Sequence, residues 1–403
     1  MTVQEKFGFR KVINARGPAT ILGAARVTDA IRQDIYDILG ESAEIWELQR
    51  RASEKIAELT GAEAGCVVGC SSAGMAIAAA AVLAGNDPAK IKALPDITWA
   101  KKKIIIQKGQ VTGAGDCPVW QVIKMTGAEY VEIGEALDCA TFHLRSALDE
   151  NVAAAFYVME DTFAPNLLPL QTFVSICKEK GVPVICDAAY LTDFKMLARL
   201  GVDLAIYSGQ KWLGGCTSGI IAGRKDLVQA CYMQEMGIGR PMKVGKEGII
   251  SIISSIKHWQ ERDSEAVKKY QTGLARSIMD KIRMIEGVHC EIKESMYSPS
   301  VRLHVTVDES VTHLPAWVIN DDMGRLDPVI KTDDYYVNNG LIIFDLAYLD
   351  ESDAEIVGMV MREYLTGQRK PEKIKDNEQE IPKTRQDILY GIFNQWLEGD
   401  PRG

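Results

Sequence analysis

Short apolar runs alternate with segments of helical periodicity over the first 245 residues of the chain. Residues 44–60 place Ile45, Leu48, Ala52 and Ile56 on one helical stripe, and Gly61 follows as a stop signal. Compact apolar runs with the character of buried strands lie at residues 102–109, 153–159, 183–190, 202–209 and 219–227. Strands that alternate with helices predict an α/β fold with a mainly parallel sheet covered on both faces.

The pattern changes after residue 246. Residues 247–287 keep helical periodicity throughout, and the runs "VHCEIKE", "SVRLHVTVDE" and "GLIIFDL" then alternate apolar and polar positions, which is typical of an antiparallel sheet. We therefore predict a large domain followed by a linking helical region and a smaller α/β domain. The predicted divisions are an N-terminal segment at 1–20, a large domain at 21–246, a linking region at 247–287, a small C-terminal domain at 288–366, and a charged linker with an amphipathic tail at 367–403.

Composition and charge exclude several classes of protein. The net charge of −9 disfavours a nucleic-acid partner, which needs a basic face. The nine cysteines show no zinc-type spacing, so we expect reduced thiols and no metal site. The N-terminus has no apolar core typical of a signal peptide, and the apolar stretch at 73–85 is too short to span a bilayer. These features predict a cytoplasmic protein without a membrane partner.

The stretch "CSSAGMA" follows a short predicted strand and opens a helix. Its small residues, which include Ser71, Ser72 and Gly74, allow a ligand to approach the backbone closely, and the free amides of a helix start suit a phosphate group. The same pattern also occurs in turns that are only structural.

Two charged residues end neighbouring predicted strands. Asp187 ends "PVICD", and Lys211 lies 24 residues further on in "YSGQKWLGG", three residues after Ser208. One β–α–β crossover of this length brings both to the same edge of a sheet, where open α/β sheets bind ligands. Asp187 as a helix cap and Lys211 as a surface lysine in a turn are the structural alternatives. The Ser-x-x-Lys spacing also matches penicillin-binding enzymes, but their partner motifs are absent.

A phosphate-binding turn, a strand-end aspartate and a strand-end lysine in this order fit pyridoxal 5′-phosphate (PLP). The aldehyde of this cofactor forms a Schiff base with a lysine, its pyridinium nitrogen needs a carboxylate, and its phosphate needs amides and hydroxyls. We therefore predict that Lys211 is the Schiff-base lysine and that Asp187 pairs with the ring nitrogen.

With these motifs the sequence resembles the fold-type-I PLP enzymes and, among them, the branch related to selenocysteine synthase that contains D-glucosaminate-6-phosphate ammonia-lyase-like proteins. The resemblance covers about residues 10–365 and includes "VINARGPATILG", "PVICDAAY", "DLAIYSGQKWLGGCTSGIIAGRKDL" and "GIGRPMKVGKEGI". It implies a large domain with a mainly parallel sheet, a small α/β domain and a homodimer or higher homo-oligomer.

The resemblance also implies roles for individual residues. Lys211 matches the Schiff-base lysine and Asp187 the partner of the pyridine nitrogen, while Ser72, Ala73, Gly74 and Ser208 match the phosphate cradle. Residues with an expected substrate role are Arg16, Gln110, Arg240, Lys243 and Arg302. For the basic residues of "GRPMKVGKE" the alternative is a solvated turn, and for Arg302, our candidate ligand of a substrate carboxylate, it is a strand-edge arginine.

The predicted reaction is that of a PLP-dependent lyase acting on an amino acid, in which Lys211 removes the Cα proton and β-elimination gives a 2-oxo acid and ammonia. The first alternative is an amino-acid racemase or epimerase that reprotonates the same carbanion on its other face. Others are a selenocysteine synthase-like transferase and a non-catalytic PLP-binding relative. Gln110 stands where relatives usually carry histidine, and Trp212 follows the lysine, so the substrate of the relatives does not transfer directly.

Overall fold

A computed structural model describes residues 1–111, 117–159, 166–294, 299–371, 390–394 and 396–397, so most of the predicted linker and tail at 367–403 lies outside the described residues. The strands in chain order are β1 (Val12–Ala15), β2 (Ala64–Val68), β3 (Lys103–Gln107), β4 (Glu129–Ile133), β5 (Val152–Val158), β6 (Val184–Asp187), β7 (Leu204–Ser208), β8 (Gly219–Gly223), β9 (Val288–Glu294), β10 (Val301–Val307), β11 (Val329–Thr332) and β12 (Leu341–Asp345).

The α-helices are α1 (Val3–Phe7), α2 (Asp29–Leu39), α3 (Ile45–Thr60), α4 (Ser71–Ala84), α5 (Pro88–Ala93), α6 (Val119–Lys124), α7 (Thr141–Ala147), α8 (Leu170–Glu179), α9 (Met196–Leu200), α10 (Lys225–Met233), α11 (Lys246–Glu261), α12 (Ser264–Ile282), α13 (Glu309–Thr312), α14 (Ala316–Met323) and α15 (Glu351–Leu365). No helix within the described ranges is both long enough and apolar enough to cross a membrane.

The chain divides into two compact units. The larger unit is Ala25–Arg262, and the smaller one combines Met1–Ala24 with the described residues from Asp263 onward. The continuous helical periodicity of residues 247–287 is realised as two helices, because α11 ends at Glu261 and Asp263 caps α12 by accepting a hydrogen bond from the amide of Ala266 at 3.0 Å. The domain boundaries drawn from the sequence stay predictions.

The larger unit is built on a seven-stranded sheet in the order β2-β8-β7-β6-β5-β3-β4. Strands β4, β3, β5, β6 and β7 pair in parallel, whereas β8 runs antiparallel to both β7 and β2. The mainly parallel sheet expected from the sequence is therefore confirmed. Every residue of β5, β7 and β8 is buried, as strands covered on both faces require.

Helix α4 packs on the centre of this sheet with almost no bulk between them. Its sequence is rich in alanine, and a Cβ atom at Gly74 would lie 3.0 Å from Cγ2 of Ile206 on β7. Small side chains therefore let the start of α4 approach the strand ends closely. The same edge of the sheet carries the predicted phosphate turn.

The outer edge of β2 is covered by a side chain. The Gln49 amide donates to the carbonyl oxygen of Val67 at 2.7 Å, and its Oε1 accepts from the amide of Val67 at 2.9 Å. The glutamine thus bonds both backbone groups that an edge residue would otherwise leave unpaired.

The smaller unit contains two sheets. Strands β12, β10 and β9 form an antiparallel sheet, as predicted, and β1 pairs in parallel with β11. Its core includes Ile13 from the N-terminal segment and Leu303, Ile342 and Phe344 from the sheet. The N-terminal segment is therefore a structural part of the unit that is completed by the C-terminal half of the chain.

Candidate active site

Three segments with polar residues meet at one end of the large sheet, where its parallel strands finish. Strands β2, β3, β5, β6 and β7 all end at this edge, because β2 and β7 each run antiparallel to β8 between them. Gly219 pairs with both Val68 and Ser208, and Asp187 pairs with Ile206 two residues before Ser208. The register therefore places the start of α4, Ser208 and Asp187 at neighbouring positions where the strands end.

The start of α4 offers open amides. Cys70 caps the helix weakly, with its sulfur 3.4 Å from the amide nitrogen of Ala73, and the amide of Gly74 bonds the carbonyl oxygen of Cys70. Among the described residues the amides of Ser71 and Ser72 donate to no protein acceptor. These two N–H groups, with the positive end of the helix dipole, form an anion-binding surface. Gly74 contributes close packing rather than a free donor.

Gly219 makes this cradle narrow. A Cβ atom on Gly219 would lie 2.4 Å from the carbonyl carbon of Cys70 and 2.7 Å from the amide nitrogen of Ser71. No side chain fits there without moving the backbone of the helix start. The glycine therefore lets β8 pass directly beneath the open amides.

Asp187 is held at the end of β6 by a short turn. Its Oδ1 accepts from the amide of Ala189 at 3.2 Å, and the amide of Ala188 bonds the carbonyl oxygen of Ile206 on β7 at 2.8 Å. Burial raises the pKa of this carboxyl above its usual range, and the positive charge of Lys211 lowers the pKa part of the way back. The half-buried carboxylate therefore lies close enough to Lys211 for the two charges to interact, and its expected role as partner of the ring nitrogen stays a prediction.

Lys211 lies in a turn after β7 and is itself buried. The turn is closed by two hydrogen bonds of 3.0 Å, from the amide of Gly214 to the carbonyl oxygen of Lys211 and from the amide of Gly215 to that of Gly209. The ammonium nitrogen of Lys211 lies 3.3 Å from the centroid of the Tyr190 ring. The neighbouring Trp212 has a buried indole N–H without an acceptor in the described part of the chain.

Gln110 lies at the same edge, and both ends of its side-chain amide bond the backbone. Its amide donates to the carbonyl oxygen of Val158 at 3.1 Å, and its Oε1 accepts from the amide of Val158 at 3.3 Å. A substrate contact would have to use the second lone pair of this oxygen or the second N–H of the amide. The expected substrate role of Gln110 stays a prediction.

The segment with Arg240 and Lys243 lies against the residue that precedes the cradle. The amide of Gly69 bonds the carbonyl oxygen of Met242 at 3.1 Å, and both basic side chains are exposed. Arg240 forms an ion pair with Glu235 at 3.1 Å. The substrate roles expected for Arg240 and Lys243 stay predictions.

Arg16 and Arg302 belong to the smaller unit, and each has a carboxylate partner there. Arg16 pairs with Asp334 at 3.0 Å. The Nε of Arg302 donates to Oδ2 of the buried Asp345 at 3.3 Å, and the same oxygen accepts from the hydroxyl of Ser300 at 2.8 Å. Within the described residues the terminal nitrogens of Arg302 bond no protein acceptor, which leaves a planar fork for an anion.

Sequence reasoning missed several residues of this arrangement. Tyr190 was visible in "DAAY" next to Asp187, but no spacing rule showed that its ring would lie under Lys211. Asp345 looked like the end of an ordinary strand. Within the described ranges no group of three or more His, Cys, Asp and Glu side chains forms a metal site.

The comparisons with known proteins agree with this geometry. Residues 12–310 match the family model described as SelA, L-seryl-tRNA selenium transferase. The chain belongs to the SelA family. SelA proteins are fold-type-I enzymes that depend on PLP, so the resemblance stated from the motifs is confirmed, and the chain is a PLP-dependent enzyme of this family.

Two curated relatives match along nearly the whole chain. One, a 5′-C-glycyluridine monooxygenase-decarboxylase of Streptomyces sp, is 32% identical over 364 residues, which cover 90% of this chain and 91% of the relative. The other, a D-glucosaminate-6-phosphate ammonia lyase of Salmonella typhimurium, is 28% identical over 90% of this chain and 97% of the relative. A solved structure of D-glucosaminate-6-phosphate ammonia-lyase matches with a TM-score of 0.81 and 28% identity, covering 91% of this chain and 99% of that one. The fold-type-I architecture is therefore confirmed.

The donor set at the sheet edge fits PLP. Open helix amides at Ser71 and Ser72, beneath which Gly219 leaves no room for a Cβ atom, suit a phosphate group. The half-buried carboxylate of Asp187 suits a protonated ring nitrogen, and the buried primary amine of Lys211 suits the aldehyde.

Proposed function

We propose that this chain is a lyase that eliminates a β-substituent from an amino acid and releases a 2-oxo acid and ammonia. The observation that carries the proposal is the buried amine of Lys211 near the half-buried carboxylate of Asp187, at the ends of neighbouring strands. The similarity to an ammonia lyase in sequence and in fold supports the same reaction class.

In this proposal the residues where the strands end have separate roles in cofactor binding and in proton transfer. Ser72, Ala73 and the hydroxyl of Ser208 hold the cofactor phosphate, Gly74 keeps the cradle close to the sheet, and Asp187 pairs with the ring nitrogen. When bound, PLP supplies the electron sink that stabilises negative charge at Cα. Lys211 anchors the cofactor and, once its amine is free, accepts the Cα proton as the general base.

The atoms balance without a further reactant. Loss of the Cα proton to Lys211 is followed by departure of the β-substituent with its bonding electrons. For a β-hydroxy amino acid the departing hydroxide takes a proton and leaves as water. Hydrolysis of the released enamine then consumes one water and gives the 2-oxo acid and ammonium, so no net water is used.

We propose that Arg302 binds the substrate carboxylate. Asp345 and Ser300 fix its Nε side in the smaller unit, and the terminal nitrogens bond no acceptor within the described residues. Arg16, Arg240 and Lys243 are further candidates for anionic groups of the substrate. We also propose a homodimer as the working assembly, to be tested by light scattering of the full chain.

A second candidate function comes from the relative with 32% identity, whose name describes oxidative decarboxylation of a glycyl nucleoside. Such a reaction would consume dioxygen and release carbon dioxide. With a racemase, the amino-acid solution would instead lose its optical rotation while no ammonia is released. Transfer onto an aminoacyl-tRNA, which the family description names, is disfavoured by the net charge of −9.

The test compares the wild-type chain with Lys211→Ala and with Lys103→Ala, a lysine of the same sheet that pairs with Asp149. Each protein is loaded with PLP, and its visible absorption is recorded before and after borohydride. Amino acids with a β-leaving group are then supplied with and without oxygen, and ammonia, 2-oxo acid, carbon dioxide and optical rotation are measured.

The proposal expects ammonia and 2-oxo acid in equal amounts, independent of oxygen. Lys211→Ala should lose the borohydride-sensitive band and about 10²–10⁴-fold of the rate, while Lys103→Ala keeps both. Oxygen-dependent carbon dioxide would favour the second candidate. Full activity in Lys211→Ala would overturn the role of this lysine.

A further inference from the structure

The ring of Tyr190 lies unusually close to the ammonium group of Lys211. Their separation is 3.3 Å from Nζ to the ring centroid, whereas the ammonium of Lys6, Lys90 or Lys124 lies 5.1 Å or more from its aromatic neighbour. At such a distance the cation is in van der Waals contact with the negative face of the ring. The contact lies within the described site, and the proposed reaction as given above assigns Tyr190 no role.

The backbone fixes both partners. Tyr190 belongs to the turn that follows β6, where the amide of Leu191 bonds the carbonyl oxygen of Ala188 at 3.0 Å. The amide of Ala188 in turn bonds Ile206 of β7, the strand that leads to Lys211. One turn therefore carries both Asp187 and Tyr190, and it is joined to the strand that carries the lysine.

Burial of Lys211 strengthens its contact with the Tyr190 ring. Lys211 is only 9% exposed, so its ammonium lacks most of its hydration, while Tyr190 is 39% exposed. A cation–π contact is strongest when the cation is desolvated. Asp187 supplies the opposing negative charge, because the charge of Lys211 lowers the pKa of that carboxyl.

We propose that the face of the Tyr190 ring is the seat of the protonated amine of Lys211, which makes Tyr190 a positioning residue for the catalytic lysine. The proposal rests on the role of Lys211 as the general base. After Lys211 has accepted the Cα proton it is an ammonium group again, and the ring holds this charge beside the site without a second carboxylate. A tyrosine in "DAAY" thus has a function through its ring rather than its hydroxyl.

The test measures the ionisation of Lys211 in the full-length protein freed of cofactor, so it does not depend on any reaction. Competitive acylation over a range of pH, read by mass spectrometry of peptides, gives the pKa of individual lysines. The variants are Tyr190→Leu, which removes the ring but keeps apolar bulk, and Tyr190→Phe, which removes only the hydroxyl. Lys103 in its ion pair with Asp149 reports on the integrity of the sheet.

The ring favours the charged form, so its removal should lower the pKa of Lys211. We expect a decrease in Tyr190→Leu, little change in Tyr190→Phe, and an unchanged Lys103 in both. If the measured pKa of Lys211 is the same in Tyr190→Leu as in the wild type, the proposal is overturned. An equal decrease of this pKa in both variants also overturns it, because the effect would then belong to the hydroxyl.

A second measurement needs no substitution at Tyr190. Protons of the Lys211 ε-methylene group, identified by their absence in Lys211→Arg, should be shifted upfield in the NMR spectrum of the wild-type protein by the ring current. A resonance at the ordinary position of lysine would overturn the proposed seat even if Tyr190→Leu failed to fold. Neither readout involves turnover. Failure of the proposed role of Tyr190 can therefore be told apart from failure of the lyase assignment.

Discussion

The side chain of Gln110 forms a pair of hydrogen bonds with the backbone of Val158, donating to its carbonyl oxygen and accepting from its amide. This side chain is thus bonded to the last residue of β5. Asp187 pairs with the same Val158 from the other side in the sheet. The glutamine therefore supports the strand end next to the carboxylate.

Replacing Gln110 by alanine should destabilise the protein. Two buried backbone groups of Val158 would lose their partner, at about 1–3 kcal/mol each. Urea unfolding measures the change, with Gln33→Ala as the control, because Gln33 makes an exposed side-chain bond to Asp37. Equal effects of the two substitutions would contradict the structural role.

Asp187→Asn should stabilise the cofactor-free protein at neutral pH. Burial raises the pKa of Asp187, so the folded state binds this proton more tightly than the unfolded state. The free energy of unfolding of the wild type therefore falls as pH rises from the ordinary aspartate pKa through the raised one.

The asparagine variant lacks this fall, and urea unfolding of both proteins between pH 4 and pH 8 compares them (roughly the window in which a carboxyl with a raised pKa titrates). The same variant should bind or use PLP poorly, because the ring nitrogen loses its charged partner. Parallel pH profiles for the two proteins would show that the carboxylate is not penalised by burial.

Gly219→Ala should disturb the cradle. The new methyl group would collide with the backbone at Cys70 and Ser71, so we expect lower stability and weaker binding of inorganic phosphate and of PLP. Gly273→Ala is the matched control, because a Cβ atom there meets open space on α12 and should stabilise the helix by up to about 1 kcal/mol. Isothermal titration and thermal unfolding of both variants would separate these effects, and unchanged affinity in Gly219→Ala would argue against the cradle.

Arg302→Lys should raise KM more than it lowers kcat. Lysine keeps the charge but loses the planar fork and the bond of Nε to Asp345, which corresponds to about 10- to 100-fold in KM. Arg145→Lys alters an exposed ion pair between Arg145 and Glu179, so it should leave KM and kcat near their wild-type values. A fall in kcat alone would assign Arg302 a role other than substrate binding.

The sequence predicted the frame of the site because strands β6 and β7 are apolar runs that end in polar residues, Asp187 and Ser208. Such runs have few alternative structures, and the spacing of Asp187 and Lys211 corresponds to one crossover. The antiparallel small sheet was also visible, since β10 alternates buried and partly exposed positions along its length.

Other features had no local signal. The pairing of β1 with β11 and the reversed direction of β8 depend on contacts between distant segments. Gln49 and Gln110 look like ordinary polar residues until the strands that they bond are in place. The contact of Tyr190 with Lys211 likewise depends on how two turns are joined, which periodicity does not reveal.

The pairing of Val12 with Val329 has a consequence for biosynthesis. A ribosome releases the first strand long before its partner exists, an interval on the order of tens of seconds at ordinary elongation rates. During this time the residues of Ala25–Arg262 can already collapse around their own core, while the apolar Ile13 has no permanent neighbour. The segment with β1 is therefore made before its partner strand and ordered after the central sheet. Nascent chains should need protection from aggregation at this segment rather than in the central sheet.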